Sequence, residues 1–154
     1  MYQHIMVPLD GSELAECVLP HVESIATGCS VSMITLVRVV PPLHMYGGTE
    51  TSISPEERQH LEADSVEVAT AYLEEKAQLL RDKGVLVETS VLFGNVLDEL
   101  CDYITKNEVD LVIIATHGRS GVSRLFLGSI ADRLLRHAPV PVLMVRAPGS
   151  IHGD

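Results

Sequence analysis

Cysteine is scarce: Cys17, Cys29 and Cys101 are odd in number, widely spaced and form no CxxC pair. That pattern excludes a disulfide framework and a structural zinc site, and it fits a reduced, cytoplasmic setting. No segment approaches the ~18 consecutive apolar residues of a membrane span. The N-terminus runs directly into a strand-like Ile5-Met6-Val7, without a basic region and long apolar run, so a soluble, unprocessed chain with no membrane contact is expected. Positive charge is also short: 11 Lys and Arg against 21 Asp and Glu give a formal net charge of -10 at pH 7. Non-specific binding to nucleic acid or to anionic lipid needs a cationic face, so neither is expected.

Several catalytic and nucleotide signatures are missing too. There is no GxxxxGK[ST], and Gly11 stands alone after the first strand where a dinucleotide fold would carry GxGxxG. There is no GxSxG elbow and no HExxH pair, and the seven histidines, at 4, 21, 44, 60, 117, 137 and 152, lack ligand spacing. No catalytic group and no protein-held metal are expected.

What is present is an alternation of strands and helices. A chain of 154 residues with 46% hydrophobic content has room for one α/β domain, expected over 1–147, with residues 148–154 a disordered tail. Tyr2 to Leu9 reads as a strand. Ser12 opens a helix with Leu14, Val18, Val22 and Ile25 at helical spacing, bent or broken at Pro20, resuming to about Thr27 and closed by Gly28. Val31 to Val40 is a β-branched strand ended by Pro41-Pro42, and residues 43–53 form the one long loop. Ser54-Pro55-Glu56-Glu57 is a capping box opening a long helix striped by Val66, Ala69, Leu73, Ala77 and Leu80, stopped at Gly84. Val85 to Leu92 mixes polar groups into a strand, as an edge tolerates. Asn95 with Asp98 caps a helix that buries Val96, Leu97, Leu100, Tyr103 and Ile104. Val109 to Ala115 contains an unbroken apolar run, which needs cover on both faces and marks a central parallel strand. Ser129 with Asp132 caps the last helix, with Ile130, Leu134 and Leu135 inward, before a strand from Val140 to Arg146.

The expected fold is a doubly wound, five-stranded parallel sheet in the order 3-2-1-4-5 with helices on both faces. Ligands of such sheets bind beyond the carboxyl ends of the strands, where the winding reverses. Pro8-Leu9-Asp10-Gly11 and the loop after Ala115 would share that crevice. The loop carries Gly118, Arg119 and Gly121 and runs to Gly128-Ser129 at the start of a helix, an arrangement suited to a phosphate. Between residues 111 and 146 the only acid is Asp132, against Arg119, Arg124, Arg133, Arg136 and Arg146. A small anionic ligand accounts for this, as does pairing of these arginines with acids of the 50–110 region. His117 can reach a ligand or close a local hydrogen bond, and Asp10 can bind a ribose hydroxyl or cap the first helix.

Taken together, Val7-Pro8-Leu9-Asp10-Gly11-Ser12, Ala115-Thr116-His117-Gly118-Arg119-Ser120-Gly121, Leu127-Gly128-Ser129 and Pro141-Val142-Leu143-Met144-Val145 resemble the A-type universal stress protein superfamily from about Tyr2 to Arg146. Its ATP-binding members carry glycine, two residues, glycine, nine residues, then glycine with serine or threonine. Gly118 and Gly128-Ser129 match, whereas the first glycine is Ala115 here, which removes φ freedom. The resemblance implies that Asp10 meets the ribose and the Val39 backbone meets adenine. Pro8, Leu9, Ile114 and Ala115 would wall base and sugar, while Gly118, Arg119, Gly128, Ser129 and Ile130 would hold the phosphates, with Mg2+ reaching the site through them.

It further implies a homodimer pairing the last strand, Val140 to Val145, across a two-fold axis. That would cover an apolar edge, which the chain's own tail could also cover. The expected function is an ATP-, ADP- or AMP-binding cytoplasmic regulator of a stress response that binds rather than turns over. Slow phosphoanhydride hydrolysis and a nucleotide-free interaction protein of the same fold are the alternatives.

Overall fold

The computed structural model describes residues 1–42, 54–116 and 126–148, with 126–128 known by backbone alone. The chain order is β1 (His4–Pro8), α1 (Glu13–Glu16), α2 (Leu19–Gly28), β2 (Met33–Val40), α3 (Pro55–Arg81), β3 (Val87–Phe93), α4 (Val96–Lys106), β4 (Leu111–Thr116), α5 (Phe126–His137) and β5 (Val142–Arg146). All pairings are parallel, in the order β3-β2-β1-β4-β5, as the alternation of patterns predicts. β3 lies at one edge, as its polar residues require, and β4 lies inside the sheet with Leu111 to Ala115 buried.

Pro20 divides the first crossover. It occupies the second position of α2, where its missing N–H is not needed, so α1 ends at Glu16 and α2 begins at Leu19. Gly28 lies inside α2, and the left-handed residue after the helix is Ser30, at φ 52°. The Ser54 capping box forms as expected, with Ser54 Oγ accepting from the Glu57 N–H at 3.2 Å. Asn95 accepts from the Asp98 N–H at 3.2 Å to start α4.

Two expectations about the last helix fail. α5 starts at Phe126, so Ser129 lies within its first turn instead of capping it. Ile130, Ala131 and Leu134 lie on one buried face, and helical backbone already in place three residues before Ser129 leaves it no capping role. Leu135 is 55% exposed, because that phase puts Ala131 and Leu134 inward and turns Leu135 away.

Buried side chains form one core on the sheet, including Ile5, Val7, Ile34, Leu36, Leu73, Leu100, Ile113 and Leu134. Among the described residues the one buried imidazole, His4, joins strands to loop: Nε2 lies 2.7 Å from Thr35 Oγ1 and Nδ1 lies 2.9 Å from the Asn107 carbonyl. A carbonyl only accepts, so Nδ1 carries the proton and Nε2 accepts from the Thr35 hydroxyl.

α3 positions the site. Its 27 residues span roughly 40 Å, whereas the eight residues of β2 span roughly 27 Å. The C-terminal half packs on the sheet through Ala69, Leu73, Ala77 and Leu80. The N-terminal half therefore projects past the carboxyl ends of the strands, and from 55 to 68 only Glu62 and Val66 are even half-buried.

Candidate functional site

Beyond the carboxyl ends of β1 and β2, a cavity of about 540 Å³ opens between the projecting half of α3 and the start of α4. This lies within the size range of small-molecule sites. Pro8, Leu9 and Asp10 supply one side, Val37 to Pro41 the floor, and Leu61, Glu62, Asp64, Ser65 and Val68 the α3 wall, with Val96 and Leu100 opposite. The mixture is apolar surface with three carboxylates and one guanidinium.

The floor has a specific backbone polarity. The Met33 N–H donates to the Gln3 carbonyl at 3.0 Å, and the Leu9 N–H donates to the Val37 carbonyl at 2.8 Å, so odd-numbered residues of β2 turn their peptide groups toward β1. Even-numbered ones turn toward β3, as the bond from the Gly94 N–H to the Val40 carbonyl shows. Val39 thus points toward β1 where β1 has already ended, since Pro8 pairs with Val37. Among the described residues, neither its N–H nor its carbonyl has a partner across that gap. A donor and an acceptor are left side by side at the cavity floor.

Asp10 sits at the rim in a braced turn. Its Oδ1 accepts from the Ser12 N–H at 2.9 Å and from the Ser12 hydroxyl at 2.6 Å, while Ser12 Oγ accepts from the Ala15 N–H at 3.2 Å. Ser12 is therefore the cap of α1, and Asp10 orients that cap rather than serving as it. Among the described residues Oδ2 accepts no hydrogen bond, which leaves one carboxylate oxygen for a ligand.

Behind this turn the guanidinium of Arg38 lies over the Tyr72 ring, 5.4 Å from its centroid. Lys76 Nζ is 5.6 Å from the same centroid and 2.7 Å from Glu16 Oε1. That hydrogen bond to Glu16 raises the Lys76 pKa. The Tyr72 hydroxyl is buried with no partner in bonding geometry. Burial first, and then the Glu16 carboxylate acting on it through space, push its pKa above the ordinary tyrosine range. Burial likewise raises the thiol pKa of Cys17 and Cys101, which disfavours their nucleophilic form.

Of the site residues expected from the sequence, Pro8, Leu9, Asp10 and Val39 meet at this one cavity. Ile114 and Ala115 are buried in β4, beside β1, and do not line it. Ile130 is buried in the core, while Ser129 is exposed in the first turn of α5, the helix that also contains Gly128. Gly118, Arg119, Gly121, Arg124 and His117 fall outside the described residues, as do the 43–53 loop and residues 149–154 of the tail. Arg133, Arg136 and Arg146 are exposed and make no ion pair among the described residues, so acids of the 50–110 region do not account for them.

Sequence reasoning missed the α3 wall and Arg38. A helix so much longer than its strand must overhang the sheet, and Leu61 and Val68, two turns apart, extend an apolar line into that overhang. Alternation along β2 also puts Arg38 on the face of Ile34 and Leu36.

The profile of the Universal stress protein family matches residues 1–146. Universal stress protein Sll1388 of Synechocystis is 30% identical over 154 residues, covering 94% of this chain and 98% of that protein. The solved structure of protein MJ0577 of Methanocaldococcus jannaschii superposes with a TM-score of 0.81 at 27% identity, covering 97% and 99% of the two chains. An Arabidopsis thaliana family protein solved with AMP bound shares the fold, with a TM-score of 0.63 at 17% identity over 97% of this chain and 94% of that one.

Proposed function

The chain belongs to the universal stress protein family, and from that premise we propose that it binds adenine nucleotides and acts as a nucleotide-dependent regulator. The observation that carries this reading is the unpaired peptide edge of Val39 at the floor of the cavity. Adenine offers an amino donor next to a ring-nitrogen acceptor on its pairing edge, the complement of a carbonyl next to an N–H. Guanine reverses the order, with a carbonyl acceptor beside an N–H donor, and in the pose that pairs adenine would meet this edge like to like. The free Oδ2 of Asp10 takes a ribose hydroxyl at the rim.

Three carboxylates around the cavity suit the uncharged base and sugar and repel phosphate. The phosphates then lie toward the start of α5, where the helix dipole presents its positive end. A divalent cation such as Mg2+ enters with the phosphates. AMP in the Arabidopsis relative is consistent with this ligand class.

The protein acts as a homodimer through β5, the free edge opposite β3, where Leu143 is 38% exposed and Val142 and Met144 are half-buried.

Titration calorimetry with ATP, ADP and AMP on the native chain, Val39→Pro and Gly128→Val tests the nucleotide site. Proline removes the Val39 N–H without breaking a ladder bond, because that group has no strand partner. Both variants are expected to bind at least tenfold more weakly. Native-like binding by Val39→Pro would remove the base from this floor, and no binding by the native chain would end the nucleotide reading. Sedimentation of Leu143→Asp, expected monomeric where the native chain is dimeric, tests the assembly.

A further inference from the structure

Arg38 is an unusual cation for this molecule. It lines the cavity, yet no carboxylate lies within ion-pair distance of it and its guanidinium makes no hydrogen bond among the described residues. Its position is nonetheless fixed. The Tyr72 ring lies along it at 5.4 Å, and the Gly11 backbone presses so close that a Cβ there would stand 3.0 Å from Nη1. Tyr72 is one helical turn beyond Val68, so the guanidinium sits at the inner end of the cavity, directly beside the Asp10–Gly11 turn. Stacking occupies a face of the guanidinium and leaves its in-plane N–H edge for other partners.

Two opposite charges, Asp10 and Arg38, therefore line the cavity beside one turn without forming an ion pair among the described residues. A ligand hydroxyl can serve both groups at once, because its hydrogen donates to a carboxylate while its oxygen accepts from a guanidinium. We propose that Arg38 and Asp10 together read a ribose hydroxyl as donor and acceptor at once, so that the site selects ribonucleotides over their deoxy counterparts. This rests on the nucleotide reading above. Arg38 is then a ligand-binding residue, with Tyr72 and Gly11 as the residues that position it.

Calorimetry with ATP, 2′-deoxyATP and 3′-deoxyATP on the native chain, Arg38→Met and Arg38→Lys tests the pair. The native chain is expected to bind ATP roughly tenfold or more tighter than at least one deoxy analogue, the size of one charge-assisted hydrogen bond. In Arg38→Met, ATP affinity falls toward that of the analogue, with the bond to Asp10 retained, while the analogue's own affinity changes less than about twofold. Arg38→Lys keeps the charge without the planar fork and should show an intermediate, ATP-selective loss, which also decides the matter should Arg38→Met fail to fold. Equal losses for all three nucleotides would make Arg38 a purely structural residue, and unchanged ATP binding would remove it from the site. Absence of ATP binding by the native chain would overturn the nucleotide reading itself.

Discussion

Gly11 and Gly84 form a matched pair for separating backbone strain from contact. Gly11 has φ +88° and Gly84 φ +84°, both in the left-handed region. A Cβ at Gly84 meets nothing within 4 Å, whereas one at Gly11 meets the Arg38 guanidinium at 3.0 to 3.2 Å. Placing alanine at such a φ costs about 1–2 kcal/mol, and the reduced freedom of the unfolded chain returns about 0.4–1 kcal/mol. Each substitution should thus destabilise by about 1 kcal/mol, or lower the melting temperature by about 2–4 °C for a chain of this size. The extra contact at Gly11 is with the end of a flexible side chain, which can shift by a few tenths of an ångström, so it adds less than about 0.5 kcal/mol.

The two variants should therefore melt together and part company in binding. Urea denaturation and ATP titration measured on the same preparations make the comparison. Gly11→Ala should weaken ATP several-fold, because Arg38 is displaced beside Asp10, and Gly84→Ala should leave it unchanged. Equal weakening by both would mean that the effect is general loss of stability. A Gly11→Ala protein as stable as the native chain would refute the conformational argument.

Leu134→Ala should cost about 2–5 kcal/mol in chemical denaturation because Leu134 is fully buried, while its neighbour Leu135→Ala should cost less than about 0.5 kcal/mol. Thr35→Val removes the hydroxyl that donates to buried His4 Nε2, and an urea melt should show a loss of about 1–3 kcal/mol. Hydrogen bonds from Arg81 and Thr89 hold the Glu74 carboxyl below its ordinary value of 4.5. Its contribution is complete above that value and lost as pH falls through the lower folded one, so Glu74→Gln should flatten the acid limb of the stability–pH profile. Because Glu74 is about half exposed, the change should be small.

The topology was legible because each element carries its own period. The apolar run of Leu111 to Ala115 can exist only inside a sheet covered on both faces, and a proline within a helical pattern must bend or break it, so the placement of β4 and an interruption at Pro20 followed locally, whereas Pro20's position at the start of a separate helix did not. The start of α5 was not legible, because Ser129 and Asp132 mimic a cap while the helical backbone begins earlier, at Phe126. Half of the cavity was hidden for a different reason. Val39 contributes peptide groups that every residue possesses, and whether they are paired depends on where a neighbouring strand stops. The α3 wall depends on a difference in length between two elements that no local pattern compares.

That overhang divides α3 into two mechanical regimes. From Ala69 onward each turn is anchored in the core, and opening it means disturbing the domain. From Pro55 to Val68 no side chain is fully buried among the described residues, so its amides should exchange with solvent faster by local fraying, independently of global unfolding. The wall of the cavity is thus the most easily deformed part of the helix. Whatever fills the cavity gains a packing partner there, and occupancy becomes readable from outside as a change in the order of an acidic, solvent-facing helical surface, with no movement of the sheet.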